Sequence, residues 1–99
     1  MAEHPLKTLE RLDPELLRLV EDTQQFALGD GALPRKFKLL IALALDAADG
    51  AVEGVKSLSQ AATRAGASKE EIAEALRVAQ YINGVGSVYT ASRALKELF

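Results

Sequence analysis

Residues 33–66, LPRKFKLLIALALDAADGAVEGVKSLSQAATRAG, decide the fold. Phe37, Leu40, Ile41, Ala44, Leu45 and Ala48 recur at three- and four-residue steps, the spacing that lines one side of an α-helix with apolar side chains. Asp49-Gly50 interrupts the run, because Asp favours helix caps and Gly accepts the backbone angles of a chain reversal. Val52, Val55, Leu58, Ala62 and Ala65 then resume helical spacing as far as Gly66, a helix stop. The stretch therefore predicts a buried helix, a tight break and a second helix that begins at the break.

Towards the N-terminus, Asp13-Pro14 predicts a helix start, with Asp as N-cap and Pro at the first helical position, where its missing N–H costs nothing. Leu16, Leu17, Val20, Thr23 and Ala27 would form its inner face, and Gly29 or Gly31 its end. GDGALP at 29–34 reads as a linker, with Pro34 suited to the entry of the next helix. Residues 1–12 read as an N-terminal arm; a lone terminal histidine such as His4 is a solvated side chain far more often than a metal ligand.

Towards the C-terminus, Gly66 is followed by Ser68 and Glu71, the spacing of a capping box that opens a helix. Ile72, Leu76 and Ala79, flanked by Ala73, Ala75 and Val78, supply its apolar side. A break at 81–86, YINGVG, precedes a last helix with Val85, Val88, Ala91, Ala94 and Leu95 on one side. There is no strand pattern and no internal repeat. The expected fold is all-α: one domain over 13–99, a compact bundle of about five helices whose two central members form an antiparallel pair.

Composition narrows the function. Ninety-nine residues bury only about 60 to 65% of the unfolded chain's surface as a monomer, and this chain is 48% hydrophobic. Self-association is expected. A formal net charge of -2 argues against a nucleic-acid partner, which calls for clustered excess cations. Arg35, Lys36 and Lys38 do cluster, but in the first turn of a helix, where they read as solvated side chains rather than an anion site. Residues 1–30 hold seven acids against three bases, a face that favours solubility. No apolar run reaches the roughly 18 residues that span a bilayer, and the first residues carry no apolar signal core. Cytoplasmic location, no membrane partner and no cofactor are the expectations. With no Cys in the chain, disulfides and thiolate metal sites are excluded.

Segments 33–51 and 61–92, together with the spacing between them, resemble the carboxymuconolactone decarboxylase and alkylhydroperoxidase D-like family over about three fifths of the chain, without a gap. The resemblance implies a helical homo-oligomer, a trimer or hexamer. It also implies where chemistry would lie. The family's redox branch uses a CxxC pair at the start of the second central helix, a His four residues later and a Glu in the preceding helix. A helix N-terminus lowers a thiol pKa, while Glu and His relay protons. By position the Cys pair falls on Ala51 and Gly54, the His on Leu58 and the Glu on Leu39. The decarboxylase branch lacks the Cys pair but keeps the His that Leu58 replaces.

The chain is thus expected to keep the family scaffold and to have lost the dithiol peroxidase site. Two alternatives belong to other classes. One is a non-redox decarboxylase, hydrolase or isomerase acting on a small carboxylated compound bound at the helix start. Its candidate groups are Asp46, Glu53, Lys56, Tyr81, Asn83 and Tyr89. Glu53, like Asp49, is better explained by acids favoured at a helix start, and the tyrosines by packing between helices. Asp46 stands in an otherwise apolar run, so its carboxylate either faces solvent or has a partner. The other alternative is an oligomer that serves a structural or partner-binding role.

Overall fold

The structure is a computed structural model that describes residues 6–99. Among the described residues there are six α-helices and no strand: α1 Lys7–Leu12, α2 Pro14–Leu28, α3 Arg35–Ala48, α4 Val52–Arg64, α5 Lys69–Asn83 and α6 Gly86–Leu95. The all-α expectation holds. Part of the segment read as an arm forms α1, and His4 lies outside the described residues.

α3 is the centre. It packs against α4, α5 and α6, while α2 touches α3 and α1 lies on α2. Leu39, Leu40, Leu43 and Ala47 of α3 meet Val55 and Ala62 of α4, Ile72 of α5 and Ala94 of α6 in one apolar cluster.

The buried side of α3 differs from the predicted stripe. Of Phe37, Leu40, Ile41, Ala44, Leu45 and Ala48, Leu40 alone is buried; Phe37, Ile41 and Leu45 are 43%, 50% and 65% exposed. α3 has charged side chains only at Arg35, Lys36, Lys38 and Asp46, so helical spacing fits more than one face, and packing against three helices selects Leu39, Leu43 and Ala47. α6 departs in the same way: Val85 and Val88 are exposed, while Ser87, Thr90, Ala91 and Ala94 are buried. Short side chains there let α6 approach α4, whose own buried residues are Val55, Ser59 and Ala62. α2 buries no residue fully, and Leu16, Leu19 and Phe26 are exposed along it.

The local signals hold where partners are close in sequence. Asp13 accepts from the Leu16 N–H at 3.0 Å. Gly50 turns the chain with φ +79°, a conformation that a Cβ would strain. Ser68 Oγ accepts from the Glu71 N–H at 3.0 Å, and Glu71 Oε1 accepts from the Ser68 N–H at 2.8 Å. That backbone bond lowers the Glu71 carboxyl pKa, and Lys36, 3.1 Å away, adds to the effect. Glu71 therefore contributes stability above its ordinary titration range, and the contribution is lost as pH falls through the lowered value. Replacing Ser68 by Ala should cost about 1 kcal/mol, seen as a lower urea midpoint at constant slope. An unchanged midpoint would show that α5 does not depend on this cap.

Candidate functional site

The break between α3 and α4 brings the C-terminal turn of one helix against the first turn of the other. Asp46, one turn before the break, lies on α4 rather than in open solvent. Gly54, in the first turn of α4, has Asp46 directly above it: a Cβ added at Gly54 would collide with Asp46 Oδ2 and stand 2.8 Å from Asp46 Cγ. Glycine at 54 is what makes room for the carboxylate.

Asp46 is half-buried; its backbone carbonyl accepts from the Ala51 N–H at 2.9 Å, while its carboxylate forms no hydrogen bond or ion pair among the described residues. Burial pushes its carboxyl pKa up, and the neighbouring Asp49 charge pushes it further. Folding thus makes the Asp46 proton harder to remove than in the unfolded chain. Any stability tied to this group is present below its ordinary pKa and is lost as pH rises through the raised value. Asp49, expected to cap the second helix, instead ends α3 in a right-handed helical conformation, and Ala51 occupies the α4 N-cap without a side-chain bond.

The remaining positions implied by the family resemblance are apolar and inside. Leu39 is 1% exposed, and Leu58 packs against the cluster that contains it. Proton relay needs titratable side chains, and these two leucines supply none.

The six candidate groups line no common cleft among those beside α5 and α6, α1 and α2, or α4. Glu53 is exposed, and Lys56 is directed to Glu97 at 3.7 Å. Tyr81 and Tyr89 are 82% and 61% exposed, so neither ring is buried between the helices of the single chain. Asn83 Nδ2 donates to the Ala48 carbonyl at 2.9 Å and lies 3.4 Å from Ser87 Oγ. It ties the end of α5 to the end of α3, which gives it a structural task. Three clefts, one beside α5 and α6, one beside α1 and α2 and one beside α4 and Phe99, are lined by none of the six.

The basic cluster is likewise engaged. Lys36 pairs with Glu71 and lies 5.0 Å from the Phe37 ring centre, and Lys38 donates to the Gly29 carbonyl at 2.6 Å. Sequence reading missed Asp30, which accepts from the Arg35 N–H at 2.6 Å and caps α3 across the linker. The signal was present, an Asp five residues before the helix, beyond the usual cap spacing. Among the described residues no three His, Cys, Asp or Glu side chains are grouped to hold a metal ion, and no helix is long and apolar enough to cross a membrane.

No curated protein matches the chain. The crystal structure of apo-lpg0406, a carboxymuconolactone decarboxylase family protein from Legionella pneumophila, superposes with a TM-score of 0.86 at 35% identity, covering 92% of this chain and 81% of that one. Residues 14–97 match the carboxymuconolactone decarboxylase family. With its helical core, its α3–α4 break and nearly its whole length accounted for by these likenesses, the chain belongs to the carboxymuconolactone decarboxylase family.

Proposed function

We propose that this chain is a non-redox member of its family, a cytoplasmic helical homo-oligomer that keeps the scaffold and has no dithiol peroxidase activity. The observation that carries the reading is the Asp46 carboxylate lodged over Gly54. The space that a side chain at position 54 would need holds an oxygen acid, and the chain contains no thiol to attack a peroxide. Leu39 and Leu58 add support, because the proton-relay positions have joined the core. With a dithiol reductant and an alkyl or hydrogen peroxide, consumption of peroxide should run at the protein-free rate. Robust turnover by freshly purified protein would overturn the proposal.

The oligomer, a trimer or hexamer, is supported by the exposed stripe Phe37, Ile41 and Leu45 on the central helix and by the uncovered apolar side of α2. A second reading rests on Asp46 alone. A partly accessible carboxyl with a raised pKa is suited to acid–base work, so a non-redox decarboxylase, hydrolase or isomerase acting on a small carboxylated compound is the alternative. It is the weaker reading because none of the clefts described above is lined by Asp46 or by another candidate group.

A further inference from the structure

A cleft of about 380 Å³ lies between α5 and α6, within the size range of small-ligand sites. Ile72 and Leu76 of α5 and Val88 and Leu95 of α6 give it apolar walls. Lys69 and Lys96 also line it. Lys69 is the first residue of α5 and Lys96 follows the last of α6, so both stand at the helix ends remote from the turn joining α5 to α6, whereas Val88 lies near that turn. Charge is therefore confined to one end of an apolar channel.

Among the described residues neither ammonium group forms an ion pair. Of the acids beside them in sequence, Glu71 pairs with Lys36 and Glu97 with Lys56, while the exposed Glu70 forms no ion pair among the described residues. In a chain of net charge -2, two cations outside any ion pair at the end of an apolar cleft favour an occupant of opposite charge with an apolar body. From Lys69 to Leu76 the wall runs about 10 Å at the α-helical rise of about 1.5 Å per residue, the extended length of an eight-carbon acid.

We propose that the α5–α6 cleft binds a medium-chain aliphatic monocarboxylate, with the carboxylate between Lys69 and Lys96 and the chain running towards Val88. The site is separate from the α3–α4 break and does not rest on the proposed function. The test is titration of the full chain with octanoate, followed by calorimetry and by backbone amide NMR shifts. Octylamine keeps the tail and inverts the charge, and acetate keeps the charge without the tail. Octanoate should bind at least tenfold more tightly than either, and the shifts should fall on residues 69–76 and 88–96. The double variant Lys69→Gln/Lys96→Gln should retain the fold and lose the tenfold preference over octylamine.

Equal binding of octanoate and octylamine would overturn the proposal, as would shifts confined to other parts of the chain. So would amide protection of residues 72–76 that rises with protein concentration in the absence of ligand and is matched by failure of octanoate to bind, because a second copy would then be the occupant.

Discussion

Replacing Leu43 by Asp is expected to abolish cooperative folding. Leu43 is 0% exposed and lies in the cluster with Leu39, Leu40, Val55 and Ile72, where no cation is available to pair with a carboxylate. The variant loses the transfer energy of a full leucine and must bury an unpaired charge or open the core to water. Uncompensated buried charges cost about 3 to 5 kcal/mol, and total stabilities of domains run from about 5 to 15 kcal/mol. A chain of 99 residues with an apolar core shared by four helices has little margin beyond that. Far-ultraviolet circular dichroism should show reduced helix and no sharp thermal transition. Leu43→Ala supplies the graded control: it should remain folded and lose about 2 to 5 kcal/mol in urea titration. A melting temperature within a few degrees of wild type for Leu43→Asp would mean that this side of α3 is not the core.

Ile41→Asp, two residues away, should leave the helices intact and take the assembly apart. At about 3.6 residues per turn two positions differ by roughly 200° around α3, and Ile41 is 50% exposed where Leu43 is 0%. Phe37, Ile41 and Leu45 follow at four-residue steps, a continuous apolar strip that a second chain would cover. An Asp in the middle of that strip faces water in the single chain and would be buried without a partner in the oligomer. Sedimentation should give the wild type a mass of several chains and the variant a mass near the 10.6 kDa of one chain, with unchanged helix content. If the variant keeps the wild-type mass, the strip lies outside the interface; if the wild type is already a single chain, self-association is wrong.

The contrast between positions 41 and 43 also marks what the chain's pattern makes legible. Helix existence was readable at α3 because apolar residues crowd 37–48 and charge is nearly absent. Which face meets the rest of the domain was not, since a helix apolar on most sides satisfies several stripes at once, and three packed neighbours settle the matter. The Ser68–Glu71 box was readable because its partners are three residues apart. The Asn83–Ala48 bond was not, because it joins groups 35 residues apart. At the candidate site the replacement of the family's positions by Leu39, Ala51, Gly54 and Leu58 was visible as spelling. That the carboxylate of Asp46 fills the space over Gly54 depends on the tightness of the α3–α4 break, which residue identities do not specify. The dispersal of Glu53, Lys56, Tyr81 and Tyr89 follows from the same cause: spacing along the chain places residues on helices but not helices on each other.

The account turns on Asp46 having taken the side-chain space of position 54, and a double-mutant cycle in urea measures this most directly. Alanine in place of glycine favours a helix by about 1 kcal/mol, so in an Asp46→Ala background Gly54→Ala should stabilise the protein by about that amount. In the presence of Asp46 the new methyl group must displace the carboxylate, and the same change should give no gain or a loss. The expected coupling between the two sites is at least about 1 kcal/mol. An equal gain from Gly54→Ala in both backgrounds would contradict the account, because position 54 would then be open and the carboxylate elsewhere.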